Sequence, residues 1–478
     1  MSSHINCSRA AWAMVAICTT FLVCVVSSRT LAQAPLDLES QETAEVLSRL
    51  HDRLDELERE NQGILNQNAQ LLDQINAHRD ENSIGGQTSA STYSPGEGIT
   101  ISMLNNTSKL TVGASLSALA TFSTSRPFSA SLPLFLFPAS PLGVDSNTFD
   151  LQARQSSINA RFTGPEVLGL TPGAEILTLF FNDNITDDNY GLLVYYAYGE
   201  LKNDQMRFAA GLQRDIFNPV GPTVLPFSLL YGSGNAGSYR GQIRYERFVP
   251  FGNDSLMTLQ SGLSESISTL VVRSLQDPLV EDNGWPNLEG RVAMGFGETQ
   301  EYLGGRKQRP VEFGVSGVVG QIRISKLVPG PGTTGPDRVV DDVRALGCDL
   351  QWVMTDRLGM KGELFIGRTL GEYNAGVLQN FNSETFLGIR TKGAYGELYW
   401  YFNPKLHLHC GYGIDDPYDN DLAASQIASN QTFMNTLLYD LSKTVQFGFE
   451  VDYRKTNYVS PALDANAVLF MSQFLWRF

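Results

Sequence analysis

The chain has 478 residues, a formal net charge of −15 and 18% charged residues, against roughly 25% in an average soluble protein. The acidic balance excludes nucleic acid as a partner, since nothing in it attracts a phosphate backbone, and a hydrophobic content of 42% excludes a chain disordered by composition. With 44 Gly and 10% aromatics, the composition suits many strands joined by tight turns.

Residues 1–32 predict an export signal peptide. His4 and Arg9 lie in a short leading region, Ala10 to Val26 is apolar apart from two Thr and two Cys, and Thr30-Leu31-Ala32 places small residues for cleavage before Gln33. The apolar run falls short of the roughly 20 residues that span a bilayer as a helix. Cys7, Cys18 and Cys24 belong to this signal, which leaves Cys348 and Cys410. Both take the apolar parity of strand-like stretches, which suits small hydrophobes rather than metal ligands. No cofactor or metal is expected.

Residues 33–82 predict a periplasmic α-helical coiled coil. From Leu47 to His78 the a series is Leu47, Leu54, Asn61, Asn68 and Ile75, and the d series is Leu50, Leu57, Ile64, Leu71 and His78. Leu65 and Leu72 widen the stripe at e, which favours a homotrimer over a dimer. The stretch "SIGGQTSASTYSPGEG", residues 83–98, reads as a flexible linker because it is small, polar and rich in Pro and Gly.

From residue 99 to 478 the helical period gives way to short alternating runs between Asn, Asp, Gly and Pro clusters. Val445, Phe447, Phe449, Val451 and Tyr453 share one face, and Gln446, Gly448, Glu450, Asp452 and Arg454 the other. Gly396, Leu398, Trp400 and Phe402 oppose Tyr395, Glu397, Tyr399 and Tyr401. Alternation alone does not separate a soluble sandwich from a membrane barrel. Three features favour the barrel: the export signal, polar faces carrying charge along whole strands, and short connections ("NPK") alternating with long ones ("DDPYDNDLAASQIASN"). Counting from Lys109 gives about sixteen strands, an even number of porin size.

Arginines on the polar faces are the functional candidates. Arg240, Gln242, Arg244 and Glu246 share one face of "SYRGQIRYERF", with Tyr239, Ile243 and Tyr245 on the other. Arg207 and Gln213 oppose Met206, Phe208 and Leu212. Arg154 and Arg161 have opposite parity, so both face a lumen only if a bulge intervenes near Ser156-Ser157. An Arg row lowers the barrier for anions, whereas Arg braced by Asp215, Glu246 or Glu200 is structural. Both readings stay open. The long apolar segment that begins "RDIFNPVGP", with Arg214, Asp215, Asn218 and Pro219 at its root, is expected to fold inward as a constriction up to residue 236. Residues 120–143 are similar in composition and are expected to pack on the protein or contact a partner. His407 and His409 face one way, and two ligands make a poor metal site. No nucleophile elbow, P-loop or Cys pair appears, so no enzyme is expected. The final stretch "SQFLWRF" places Phe474, Trp476 and Phe478 on one parity, as a closing strand with its aromatic residues toward lipid.

With "TFDLQARQSSINARF", "GLQRDIFNPVGP", "YRGQIRYERF", "FNPKLHLHCGYGIDDP" and the terminal aromatic strand in this order, the chain resembles the DcaP-like subfamily of outer-membrane porins. The resemblance implies a sixteen-stranded barrel, usually trimeric, that passes small polar and often negatively charged solutes such as dicarboxylates. It also implies that Phe474, Trp476 and Phe478 form the signal read by the barrel-insertion machinery. Two departures bear on substrate preference rather than on fold. Ser156-Ser157 follows Gln155 where family members often carry a second Arg beside the one matched by Arg154, and the motif matched by "GLQRDIFNP" lacks the family's Trp-like residues. The fold expectation is therefore an all-β transmembrane barrel with an N-terminal coiled coil, placed in the outer membrane. Its partners would be small polar solutes and the lipid bilayer. A substrate-specific uptake channel and an envelope tether are the alternatives.

Overall fold

The structure is a computed structural model that describes residue 59 and residues 91–103, 107–138, 146–182, 189–252, 254–266, 280–281, 284–325 and 338–478. The expected signal peptide, the coiled coil apart from Arg59 and the first half of the expected linker lie outside the described residues. The chain divides into two compact units, Met1–Gly86 and Gln87–Phe478, and the description concerns the second.

Its strands run in chain order as β1 (Ser91–Ser94), β2 (Gly98–Met103), β3 (Ser108–Ser123), β4 (Thr148–Gln152), β5 (Ser157–Thr163), β6 (Thr171–Phe181), β7 (Tyr190–Lys202) and β8 (Met206–Arg214). They continue as β9 (Tyr239–Phe251), β10 (Ser255–Ser264), β11 (Val280–Glu281), β12 (Asn287–Phe296), β13 (Gln300–Tyr302), β14 (Arg306–Gln308) and β15 (Val311–Ser325). The last are β16 (Arg338–Val353), β17 (Leu358–Arg368), β18 (Arg390–Tyr401), β19 (Leu406–Pro417), β20 (Ile427–Asp440), β21 (Val445–Tyr458) and β22 (Ala465–Arg477). With β4–β5 and β11–β12 each forming one interrupted strand, sixteen antiparallel strands close on themselves. The ring shuts where β22 pairs with β3, from Leu469 opposite Ser123 to Arg477 opposite Ser115. Closure leaves no open edge among these strands, which is the condition for strands in a bilayer.

The alternation read from the sequence is the in–out alternation of this wall. Ile243, Tyr245, Leu398, Trp400, Phe433, Phe449, Phe470 and Trp476 are exposed on the outside. Their neighbours Arg244, Glu397, Thr432, Glu450 and Met471 are buried inside. Cys348 and Cys410 take the outward parity, opposite Val315 and Leu398, and are free thiols. One end of the barrel carries short turns (203–205, 252–254, 354–357, 402–405), and the other carries the long loops.

Two details follow from register. Between β3 and its β4–β5 neighbour, Leu119 faces Gln152 while Ser115 faces Ser157. The second strand holds one residue more over that interval, and Ser156 N–H donates to Ala153 O in a tight turn. This is the bulge that the opposite parity of Arg154 and Arg161 requires.

The second detail corrects the linker expectation in its described part, residues 91–98. Residues 91–98 form β1 and a turn, and β1 pairs with β2, which in turn pairs with β3 from Ile99 opposite Val112 to Met103 opposite Ser108. β22 covers β3 only from Ser115 onward, and Phe478 exchanges backbone hydrogen bonds with Ala114 at 2.8 and 2.9 Å. The rest of that β3 edge would leave unpaired N–H and C=O groups, and β2 covers it. Gly98 sits at φ +99°, and a Cβ there would lie 2.1 Å from Val112 O, so the approach admits only glycine.

The interior is not empty at the loop end. Residues 124–138, 215–238 and 369–389 turn into the barrel and pack on its wall. Leu119, Leu136, Leu225, Leu438, Leu469 and Met471 form one buried cluster, and Phe217, Val343, Phe365, Leu370 and Tyr373 contribute to a second. Of the two expectations for residues 120–143, packing on the protein is the one met in the described part. Leu132, Leu134 and Leu136 are fully buried, Asn430 Nδ2 donates to Leu134 O at 2.8 Å, and Tyr458 Oη donates to Leu136 O at 2.8 Å. The loop-end wall presents apolar side chains inward, so an apolar loop buries its leucines there without a partner.

Candidate functional site

The β8–β9 loop runs inside the barrel along its inner wall. The wall holds it by carboxylates aimed at its main-chain N–H groups. Ile216 N–H donates to Glu289 Oε2 at 2.8 Å, Val220 N–H to Glu363 Oε1 at 2.6 Å, Thr223 N–H to Glu397 Oε2 at 2.7 Å and Leu225 N–H to Glu450 Oε2 at 2.6 Å. These acids stand on β12, on the neighbouring strands β17 and β18, and on β21, three places along the ring from that pair on either side. A loop that bonds all four must traverse the interior. Four such bonds fix a segment with no sheet ladder of its own.

The root of the loop carries the most buried charge. Arg240 is fully buried. Its Nε donates to Asp215 Oδ1 at 2.7 Å, its Nη2 to Glu372 O at 2.7 Å, and its Nη1 lies 3.4 Å from Glu372 Oε2. The guanidinium stacks 3.8 Å from the centre of the Tyr373 ring. Asp215 also accepts from Ser238 N–H at 2.7 Å, and Glu372 from Asn287 Nδ2 at 3.1 Å. The knot thus ties the 215–238 loop to the 369–389 loop. Two acids share one guanidinium out of water. Burial pushes Asp215 up to about 7 and Glu372 up to about 8, with Arg240 opposing both.

Other predicted residues occupy two zones. Toward the loops, Arg154 is buried against Asp150, 3.1 Å away, and Gln152. Gln242 Nε2 caps the carbonyls of Gln213 and Arg214 at 2.9 and 3.0 Å, so it and Gln213 hold the start of the loop. Asn218 is buried, with its Oδ1 accepting from Ser316 Oγ, and Pro219 beside it is half-buried. Of the residues expected to line the pore, Arg154, Gln213, Arg240 and Gln242 are buried. They do point inward, but the inward loops cover them. Arg214 is different. Its Nη2 reaches Asn218 O at 3.4 Å, its Nε is buried without a hydrogen bond, and no carboxylate lies within ion-pair distance among the described residues.

Toward the turns, Arg207 bonds Glu200 at 2.6 Å and Glu246 at 3.2 Å, and Arg244 Nε lies 3.4 Å from Glu246. The chain continues through Gln260, which bonds Glu246 and Arg291, to Arg291 paired with Asp349 at 2.7 Å. Arg161 pairs with Glu175 at 2.8 Å and stays exposed. A second arc runs from Lys361 to Glu397 (3.6 Å), on to His409 (2.6 Å), His407 (2.8 Å) and Asp440 (3.1 Å). Ions of both signs therefore line the turn-side lumen in a belt. Of the terminal aromatics, Trp476 and Phe478 are exposed outside and Phe474 packs on Phe447, while Gln473 turns in to bond Ser117 Oγ at 3.0 Å.

The sequence reading missed the four loop-binding glutamates, Glu372 and the histidine arc. Each acid takes the inward parity of its strand or loop, and only a partner far along the chain distinguishes it from a solvated acid.

No family model and no curated protein matches the chain. Among solved structures, the outer membrane channel DcaP of Acinetobacter baumannii aligns at a TM-score of 0.57 and 15% identity, covering 78% of this chain and 97% of that one. An anion-selective porin from Comamonas acidovorans aligns at 0.48 and 11%, covering 78% and 100%. The first likeness establishes the fold, a porin-type barrel, in agreement with the resemblance read from the motifs.

Proposed function

We propose that this chain is an outer-membrane porin through which small polar solutes, anions such as dicarboxylates among them, diffuse passively past a constriction made by the 215–238 loop. The observation that carries the proposal is that loop, drawn inside a closed sixteen-stranded barrel and anchored to carboxyl groups on β12, β17, β18 and β21. A wall apolar outside and ionic inside supports a membrane setting with a wet passage. A belt with both signs supports a transverse field that orients polar solutes, and Arg214, without a counter-carboxylate at the loop root, supports the preference for anions. The expected signal peptide fits delivery to the outer membrane, and assembly as a trimer through the expected coiled coil is part of the same proposal.

Planar-bilayer recording under a KCl gradient tests it. The expected reversal potential is anion-selective and shifts toward cations in Arg214→Ala. A cation-selective channel unmoved by that substitution overturns the anion preference, and a folded protein without conductance overturns the porin. One observation favours a more restrictive second reading, a substrate-specific channel: three loops, not one, fill the loop end of the lumen. That reading expects saturable solute flux in proteoliposomes.

A further inference from the structure

The turn between β12 and β15 is the exception among the short connections. It carries the β13–β14 hairpin, which reaches past β16 and β17 to β18. Arg306 of this hairpin lies over two rings of that strand, 4.3 Å from the centre of Tyr401 and 4.6 Å from that of Tyr399. Gln308 Nε2 donates to Tyr399 Oη at 3.1 Å. Beneath the hairpin lies a cavity of about 200 Å³, bordered by Arg306, Lys361, Gln351, Thr223, His407 and His409.

The charge of this cavity follows from its hydrogen bonds. His409 Nδ1 and Glu397 Oε1 are 2.6 Å apart and share one proton, and the pair is neutral when His409 Nε2 carries a second proton and donates it to His407. His407 Nδ1 meets His409 Nε2 at 2.8 Å, and its Nε2 faces Asp440 Oδ2 at 3.1 Å. A neutral His407 satisfies both contacts. Asp440 then contributes one negative charge, and Arg306 and Lys361 contribute two positive ones. The site carries an excess of one positive charge.

Its donors are also incompletely used. Arg306 Nε and Nη2 donate to the carbonyls of Leu303 and Asp356, but the buried Nη1 has no hydrogen-bond partner and no carboxylate pairs with the guanidinium among the described residues. Lys361 Nζ donates to Thr223 Oγ1 at 2.8 Å. Its carboxylate, Glu397, is 3.6 Å away and already engaged by Thr223 N–H and His409. Buried donors with surplus charge bind an acceptor of opposite sign.

We infer that this cavity is a binding station for a small oxyanion, a carboxylate group or phosphate, at the turn-side mouth, held between Arg306 and Lys361. The inference rests on the porin reading and adds to it a second anion site, on the turn side of the loop and bordered by both the β13–β14 hairpin and Thr223 of the loop.

The test is block of single-channel chloride current by inorganic phosphate and, separately, by acetate, added to each compartment in turn. The expected result is a saturable block, with the half-blocking concentration raised at least fivefold in Arg306→Gln and in Lys361→Met. Lys307→Gln removes a charge one residue away on the outside of the hairpin, where Lys307 is exposed, and is expected to leave the block unchanged. Block by both anions assigns a general oxyanion site, and block by phosphate alone assigns a tetrahedral dianion. Absence of saturable block in a conducting channel overturns the station but not the porin, and so does equal block in wild type and both variants. Absence of conductance overturns the porin itself. Heat-modifiable electrophoretic mobility reports whether each variant folds, and the two substitutions on separate strands guard against the failure of either.

Discussion

Strand β22 displays the contrast between the two halves of the barrel. Toward the loops its inward residues are Ala465, Ala467, Leu469 and Met471, all buried in apolar contact, whereas toward the turns they are Gln473, Leu475 and Arg477, of which Gln473 and Arg477 bond Ser117 and Gln446. β6 repeats the gradient, with Leu179 and Phe181 inward near the loops and Glu175 near the turns. Outside, both halves are apolar. The same in–out alternation thus serves a packed core at one end and an ionic vestibule at the other. Apolar inward residues specify where loops dock, and paired charges specify where water stays.

Substitutions that exchange the chemistry of the two halves test this contrast. The largest effect is expected from Leu134→Asp, which places a carboxylate in the fully buried 132–136 cluster. The cost is on the order of several kcal/mol, and folded yield on semi-native gels should fall sharply. Normal yield and wild-type conductance would show that the loop end is wet after all.

An intermediate effect concerns pH. Free carboxyls titrate near about 4, whereas burial holds Asp215 near 7 and Glu372 near 8 in the fold. The folded state therefore retains protons that the unfolded chain releases. This contribution is fully present below about pH 4 and is lost as pH rises through 7 to 8. In Glu372→Gln the apparent unfolding temperature should decline less between pH 5 and pH 9 than in wild type. Parallel curves would remove the shared-charge account of the Arg240 knot.

The smallest effect is expected at the turn end. Arg161 is exposed in its pair with Glu175, and Arg161→Gln should change stability by no more than about 0.5 kcal/mol in denaturant titrations. A larger loss would mean that the belt is as tightly built as the packed half.

The strands, their number, the closing segment and the β4–β5 bulge were legible because each is written in local parity. The inward course of the 215–238 segment was legible from its length and its Pro, Gly and apolar content. Its anchors were not, since Val220 and Glu363 stand 143 positions apart and an isolated Glu on a polar face looks the same before water or before an amide. Arg240 was visible as a lumen arginine, but its burial depends on Glu372, 132 positions away. The β1–β2 hairpin was missed for another reason. "TYSPGEGIT" has linker composition, and only its Pro-Gly turn between two short β-prone runs marks it as a hairpin.

The seam of the barrel also sets an order on folding. Gln473 and Ser117, which meet across it, are 356 positions apart. Joining ends that distant costs about 5 kcal/mol of chain entropy before any pairing is gained, which makes seam closure the slow event for a sheet of this topology. Until then β3 offers an open edge to any other chain. The β1–β2–β3 meander needs only local turns, from Ser94 to Gly98 and from Met103 to Ser108, so it forms early. It occupies the portion of the β3 edge that β22 never reaches and leaves β22 a single register, starting at Ser115, in which to zip the ring shut.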